Sequence, residues 1–136
     1  MTAVDGPRSC RPDELPAVIA LVDAAMREGS DQSLLTDYPL VYAPANLPNV
    51  QVVAVDGRVV ATAPVLPRTI RLAAGGAEHT LRIGIISPTA TDPTHQHRGF
   101  GTACVAACIE RMEAAGIELS VLWTQVATFP FYELNG

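Results

Sequence analysis

The sequence predicts a single α/β domain over residues 1–136, built on a mixed sheet. Three observations indicate this class. Apolar positions recur with a helical period near the N-terminus, apolar segments separated by glycine turns follow, and a second helical pattern then leads into a further strand. With 136 residues, 49% of them hydrophobic, the chain has enough apolar material for one core.

The first elements are predicted to be a short strand and a long helix. The strand is placed near residues 8–11 and the helix over residues 12–28, because a proline and two acidic residues open the helix and Gly29 ends it. Residues 30–49 are rich in proline. We interpret them as a connecting loop with a helical turn near residues 33–36, although such a segment can also shape a substrate pocket.

A three-stranded antiparallel meander is predicted next. Its strands are placed at residues 50–55, 58–72 and 79–91. Asp56-Gly57 is a hairpin signal, and the glycines in residues 74–77 mark a second turn. Pro64 and Pro67 indicate an irregular or edge strand.

A helix–strand–helix sequence completes the predicted fold. The helix covers residues 99–115, with Val105, Ile109 and Met112 on one face. The strand at residues 119–123 follows a helical crossover, so it is predicted to run parallel to its neighbour. A Phe-Tyr helix ends the chain.

The composition excludes several classes of protein. The formal net charge of −5 argues against a nucleic-acid surface or a polybasic membrane anchor. All nine basic residues are arginine, which excludes a P-loop, a Schiff-base lysine and a pyridoxal-phosphate enzyme. The longest uncharged stretch, residues 38–55, contains prolines and asparagines and is not a membrane span. Cys10, Cys104 and Cys108 form no close pair, so we expect reduced thiols in a cytoplasmic protein without a signal peptide.

The chemical signal lies in residues 89–102, where a strand end, a tight turn and a helix start adjoin. Gly99 and Gly101 leave the amides unshielded, so several N–H groups can converge at the helix N-terminus. The Arg98 guanidinium and the Thr102 hydroxyl are further donors suited to phosphate. The residues predict a site for a phosphate, diphosphate or carboxylate, and the alternative is a helix entered through a glycine-rich turn.

A dinucleotide-binding site fits this turn poorly. It would need a third glycine where Cys104 stands, and a parallel strand before the turn where an antiparallel meander is predicted. Its acidic residue should end the next strand, whereas Glu118 precedes that strand.

The hexapeptide Gln96-His97-Arg98-Gly99-Phe100-Gly101 matches the Q/R-x-x-G-x-G/A signature of the GCN5-related N-acetyltransferase (GNAT) superfamily. Residues 131–136 are similar to the family's F-Y-x-x-x-G segment, and the order of elements resembles that fold over residues 8–136. Within the superfamily the chain most resembles the bacterial "enhanced intracellular survival" type.

This resemblance implies acetyl-CoA as the co-substrate, with no metal. The strand ending at residues 89–91 would diverge from the strand at residues 119–123, and the pantetheine arm would pair with the backbone in that gap. Amides of residues 97–102 would hold the pyrophosphate. The implied coenzyme-binding residues are Thr89, Ala90, Thr91, Gln96, His97, Arg98, Gly99, Phe100, Gly101, Thr102, Ala127 and Thr128.

The resemblance also implies that Tyr132 is catalytic and protonates the leaving thiolate. A phenol suits this step because its ordinary pKa, about 10, is near that of a thiol. The alternative is a core tyrosine with a locally bonded hydroxyl. The implied reaction is direct attack of an amine, from a small molecule or a peptide, on the thioester, and no side chain is assigned as general base.

The sequence departs from the family pattern at its end. A complete family fold adds at least two strands after the Phe-Tyr helix, so we expect an incomplete C-terminus, completed by a further domain or a second copy. The alternative function is therefore a non-catalytic acyl-CoA-binding module that needs further chain or a partner.

Five other side chains have competing interpretations. His95 and His97 are interpreted as solvent-facing donors rather than metal ligands. Cys104 and Cys108 are interpreted as buried packing residues rather than nucleophiles. Trp123 either lines the acceptor pocket or packs in the core.

Overall fold

A computed structural model describes residues 2–124 and 126–135. Within them the chain forms seven strands and four α-helices. The strands are β1 (Val4–Ser9), β2 (Val50–Val55), β3 (Arg58–Pro64), β4 (Leu66–Ala74), β5 (Ala77–Ile85), β6 (Ala90–Thr91) and β7 (Leu119–Val121). The helices are α1 (Leu15–Met26), α2 (Leu34–Asp37), α3 (Phe100–Ala114) and α4 (Phe129–Leu134). Short 3₁₀ turns lie at Pro12–Glu14, Pro44–Asn49, Pro93–His95 and Val126–Thr128.

The strands form two sheets. The first has the order β1-β2-β3-β6 and is antiparallel throughout. The second has the order β4-β5-β7, in which β4 and β5 are antiparallel while β5 and β7 are parallel. The predicted mixed α/β class and the predicted parallel strand are both confirmed.

The predicted three-stranded antiparallel meander is confirmed in its pairing, because β2 pairs with β3, β3 with β6 and β4 with β5. Two of its predicted strands, however, are each divided between the two sheets. Residues 58–72 form β3 and β4, and the break follows Pro64. Between the two strands, the amide of Val65 donates to the carbonyl of Asn49 at 3.0 Å, which extends the register of β3 on β2 by one residue. Residues 79–91 form β5 and β6, with Pro88 in the gap. Proline has no N–H for a sheet ladder, so each break coincides with a proline.

Most of the other predicted elements lie within a few residues of their observed bounds. The first strand pairs with β2 from Val4 to Ser9, earlier than residues 8–11. The helix predicted over residues 12–28 is a 3₁₀ turn continued by α1. Asp56-Gly57 forms the hairpin turn, and both residues have the positive φ angles that this turn requires (49° and 79°).

The core lies on both faces of the first sheet. One cluster joins α1 and the following segment to the sheet through Val18, Val22, Leu34, Tyr42, Val50 and Val52. The other joins α3 to the opposite face through Val53, Val60, Ile86, Cys104, Cys108 and Met112. All six residues of β2 are buried, because helices cover the sheet on both sides.

The β4–β5 hairpin extends beyond this core. The nine paired positions run from Leu66↔Ile85 to Ala74↔Ala77, and most side chains in the distal half are exposed. At its base, the side chain of Arg82 donates to the carbonyl of Ala115 at the end of α3. None of the helices in the described part of the chain is long and apolar enough to cross a membrane.

Candidate functional site

The two sheets separate at the centre of the molecule. β5 pairs with β7 as far as Ile85↔Val121, and the amide of Ile86 still donates to the carbonyl of Val121 at 3.1 Å. By Ala90 the chain has turned to the other sheet, where Thr62↔Ala90 and Ala61↔Thr91 pair β6 with β3. β6 is therefore the last strand of its sheet, and the edge that it turns toward β7 pairs with none of the described strands. Such an edge presents backbone groups to whatever lies in the gap.

A cavity of about 580 Å³ opens at this divergence. Its walls come from β6, the turn before α3, the first turn of α3, and α4. The lining residues are Thr89, Ala90, Thr91, His95, Gln96, His97, Gly99, Phe100, Gly101, Thr102, Thr128, Phe131 and Tyr132. Ten of the twelve predicted coenzyme-binding residues and the predicted catalytic tyrosine are thus brought together. Arg98 and Ala127 are exposed and do not line the cavity.

The glycine-rich turn is shaped by two residues with positive φ. His97 has φ 62° and Gly99, which precedes the first residue of α3, has φ 81°. Positive φ angles within a turn allow neighbouring backbone N–H groups to point toward one site. The first amides of α3 have no partner within the helix, and the helix dipole adds positive potential there. The turn can therefore hold an anion, as the spacing predicts.

Gly101 allows close packing at this helix start. A Cβ atom added to it would lie 3.1 Å from Oγ1 of Thr91 and 3.5 Å from the ring of Phe131. The glycine thus lets β6, α3 and α4 approach one another around the cavity.

Asp92 stabilises the turn by accepting hydrogen bonds with its carboxylate. Its Oδ1 accepts from the amide of Thr94 at 2.9 Å and from the hydroxyl of Thr94 at 2.6 Å. Its Oδ2 accepts from Arg58 at 2.8 Å. The hydroxyl of Thr94 is the main cause of a lowered pKa of Asp92, and Arg58 acts in the same direction. An ionised carboxylate thus joins the start of β3 to the turn that precedes α3.

Tyr132 stands opposite the glycine-rich turn. It is carried by α4, and its ring packs edge-on against Phe131 with 5.0 Å between centroids. Phe131 in turn packs against the core cluster under α3, which fixes the position of this short helix. The Tyr132 hydroxyl forms no hydrogen bond with another described residue, so a bound ligand can engage it. The glycine that completes the predicted F-Y-x-x-x-G segment, residue 136, lies outside the described residues.

A second cavity of about 730 Å³ adjoins the first, and Tyr132 lines both. Its walls are mainly apolar side chains of α3, β7 and α4, among them Val105, Ile109 and Phe129. Trp123 also lines it and is 74% exposed, so this tryptophan is not packed in the core.

The cysteines are packing residues, as predicted. Cys104 and Cys108 are fully buried in α3, and burial raises the pKa of each thiol to about 12. The Sγ atom of Cys108 donates to the carbonyl of Ala63 at 3.1 Å. A neutral, buried thiol is a poor nucleophile.

Two lining residues were missed in the sequence. Phe131 was noted only as part of a segment pattern. His95 was interpreted as solvent-facing, but its side chain is only 19% exposed and its Nδ1 lies 2.9 Å from the hydroxyl of Thr94. The spacing Asp92-Pro93-Thr94 could have indicated this, since an aspartate two residues before a threonine often accepts from its amide and hydroxyl.

Comparison with known proteins agrees with this geometry. The sequence profile of the family described as "Acetyltransferase (GNAT) domain" matches residues 7–136. A search of curated protein sequences found no match.

Several solved structures have a similar fold. One is an acetyltransferase from Trypanosoma brucei, at 17% identity and TM-score 0.69, covering 100% of this chain and 92% of that one. A GNAT family acetyltransferase from Brucella melitensis in complex with acetyl-CoA has 19% identity and TM-score 0.69, covering 97% and 81%. A GCN5-related N-acetyltransferase from Kribbella flavida has 16% identity and TM-score 0.75, covering 98% of this chain and 32% of that one.

Identities this low show a shared fold and no more. The profile match is the stronger finding, because it extends over almost the whole chain and includes both the glycine-rich turn and the tyrosine helix that form the cavity. On that match, the chain belongs to the GNAT acetyltransferase family.

Proposed function

We propose that this protein transfers the acetyl group of acetyl-CoA to the amine of a small molecule or a peptide. Family membership implies acetyl-CoA-dependent acetylation. The observation that carries the finer proposal is a single cavity bounded by three features: the divergence of β5 and β6, the glycine-rich turn before α3, and Tyr132.

The coenzyme would lie along this cavity. The pantetheine arm would add to the free edge of β6, where the backbone of Thr89 and Thr91 can pair with its amides. The pyrophosphate would contact the amides from His97 to Thr102, with Gln96 and Arg98 beside it. Thr128 lines the end near Tyr132, and Ala127 precedes it outside the cavity. The residues present fit the chemistry of this ligand, since backbone donors suit both a polyamide arm and an anion.

The proposed reaction is a direct transfer. The nitrogen of a neutral amine attacks the thioester carbonyl carbon, a C–N bond forms, and the C–S bond breaks. Tyr132 donates its hydroxyl proton to the departing sulfur, and the tyrosine regains a proton when the amide nitrogen loses one. Backbone N–H groups at the sheet edge would stabilise the negative charge on the carbonyl oxygen.

Three broader assignments accompany this proposal. We treat residues 1–136 as one catalytic domain, supported by two core clusters packed on opposite faces of the same sheet. Placement near the bacterial "enhanced intracellular survival" type rests on the resemblance of the sequence alone. Three free, buried cysteines support a cytoplasmic location.

Tyr132→Phe tests the catalytic part of the proposal. This variant removes the proton donor while keeping the ring, so we expect kcat to fall about 100-fold or more. The dissociation constant for acetyl-CoA should stay within about threefold of wild type. The measurement is thiol release with a panel of amines, combined with calorimetric binding. Tyr38→Phe is the matched control, because Tyr38 is exposed and lies outside the cavity.

A thermal melt separates the outcomes. Acetyl-CoA at about 100 times its dissociation constant should stabilise the fold by about 2.7 kcal/mol, which raises Tm by several degrees. A melt that acetyl-CoA does not move would contradict the coenzyme site. A shifted melt without thiol release from any amine would indicate a binding module instead of an enzyme. Undiminished turnover in Tyr132→Phe would contradict the role of the tyrosine alone.

A further inference from the structure

His95 is a wall residue of the cavity for which the proposed reaction has no role. It ends the 3₁₀ turn Pro93–His95, immediately before the glycine-rich turn. Its ring is mostly enclosed, yet the residue lines the cavity at the end where the phosphates would lie. A histidine in this position can present one ring nitrogen to a ligand.

The other ring nitrogen is held by a chain of hydrogen bonds. The hydroxyl of Thr94 lies 2.6 Å from Oδ1 of Asp92 and 2.9 Å from Nδ1 of His95. The carboxylate of Asp92 is buried, and it also accepts from Arg58 at 2.8 Å. These contacts prevent free rotation of the imidazole ring.

The same chain determines where the protons are. An ionised carboxylate can only accept, so the single hydroxyl proton of Thr94 is donated to Asp92. The oxygen of Thr94 can then only accept from His95, which requires a proton on Nδ1. In a neutral imidazole the second nitrogen, Nε2, therefore carries a lone pair and no proton.

We propose that Nε2 of His95 binds a phosphate group of the coenzyme, and does so only when the imidazole is protonated. This inference rests on the function proposed above. A neutral ring in this tautomer would present a lone pair to phosphate oxygens and repel them. The cation presents an N–H donor and a positive charge, which form a strong charge-assisted bond to phosphate. Coenzyme binding is thus coupled to uptake of a proton by His95.

The charges around His95 permit this coupling. The titratable and charged groups on the surrounding elements are Asp92, His97 and Arg98 on the same turn, Arg58 on β3, Glu28 in the turn after α1 and Tyr132 on α4. Arg58 offsets the charge of Asp92, and Glu28 lines a neighbouring groove beside Gln96. None of the described residues that line the coenzyme cavity is an acid. A protonated His95 therefore adds net positive charge where the phosphates would bind.

Calorimetric binding of acetyl-CoA between pH 5.5 and 8.5 tests the proposal. We expect the dissociation constant of the wild-type protein to rise about tenfold, relative to that of His95→Gln, between the lowest and the highest pH of this range. Glutamine keeps an N–H donor but cannot titrate. The binding measurement is then repeated near pH 7.5 in buffers of different ionisation enthalpy, which reports the protons taken up when acetyl-CoA binds. The wild type should take up more protons than His95→Gln.

Two controls isolate His95. His79→Gln, in the exposed β4–β5 hairpin, should behave as wild type. S-acetylpantetheine, which has no phosphate, should bind the wild type with an affinity that does not depend on His95. The phosphate monoester of the coenzyme also titrates near pH 6. The titration of this phosphate affects the dissociation constants of the wild type and the variant equally, so it cancels in the ratio of the two constants.

The outcomes are distinguishable. The inference is overturned if the dissociation constants of the wild type and His95→Gln depend on pH in the same way and both proteins take up the same number of protons on binding. If the wild type binds no acetyl-CoA at any pH, the proposed function itself fails. Should His95→Gln not fold, ¹⁵N chemical shifts of the wild-type ring decide the matter. A neutral Nδ1–H tautomer that protonates when acetyl-CoA binds supports the inference, and an Nε2–H tautomer contradicts it.

Discussion

Single glycines determine how closely α3 can approach the sheets. At Gly84, in β5, an added Cβ would lie 2.8 Å from Sδ of Met112 and 2.8 Å from Cγ2 of Val65. Gly99 is needed for a different reason, since its φ of 81° is costly for residues with a side chain and no atom lies within 4 Å of its added Cβ. Gly84 is thus needed for close packing against α3, and Gly99 for the backbone conformation of the turn.

Gly84→Ala should lower the free energy of unfolding by about 1–3 kcal/mol, because the new methyl group overpacks the contact with α3. Chemical denaturation measures this. In a Met112→Ala background, which removes the facing Met112 atoms but leaves Cγ2 of Val65, the same substitution should cost less. Equal costs in both backgrounds would show that the contact with Met112 is not the cause.

The start of α1 is attached to β1 by an ion pair. Arg8 donates from Nη1 and Nη2 to the two carboxylate oxygens of Glu14 at 2.9 and 2.7 Å, and the amide of Arg11 donates to the same carboxylate at 2.9 Å. The hydrogen bond with Arg8 is the largest cause of a lowered pKa of Glu14. Helix and strand are therefore joined by a carboxylate that must be ionised.

This attachment predicts a pH dependence. Since the folded-state pKa of Glu14 is below its ordinary value of 4.5, its contribution is present above that value and is lost as pH falls through the folded-state pKa. Glu14→Gln should lower the free energy of unfolding by about 1–2 kcal/mol at pH 7. Denaturation at pH 7, 5 and 3 should show this difference shrinking in acid. Glu113→Gln, at an exposed position, should show little difference at any of them.

Stability is distributed unevenly over the whole molecule. β2 and most of β3 are buried on both faces, whereas the distal half of the β4–β5 hairpin is exposed on both faces. A two-stranded ribbon without a covering layer is marginal in water. We expect local opening of this hairpin to cost much less than opening of the first sheet.

Hydrogen exchange should resolve this difference. Amides in residues 69–80 should exchange much faster than those of β2 and β3. Acetyl-CoA should slow exchange at the start of α3 and in α4, which line the proposed coenzyme cavity, and leave the hairpin unchanged. Protection of residues 69–80 equal to that of β2 in dilute protein would contradict the unequal stability.

The sequence predicted the structural features that depend only on residues close together in the chain. The bounds of α1 and α3, the Asp56-Gly57 hairpin and the anion-binding shape of the turn all follow from residues close together in the chain. Helical periodicity and glycine at positive φ act over only a few residues, so they could be predicted. The divided strands could not, because Pro64 and Pro67 indicated irregularity without indicating where each strand would divide or which strand each half would pair with.

The sequence by itself determined the family signature, the mixed α/β class and nearly all of the residues that line the cavity. Tertiary structure alone decided that β5 and β6 join different sheets, that Tyr132 stands opposite the glycine-rich turn, and that His95 turns inward onto Thr94. The physical reason is that backbone conformation depends on neighbouring residues. Strand partners, cavity walls and the protonation of a ring nitrogen depend on groups that only the folded chain brings together.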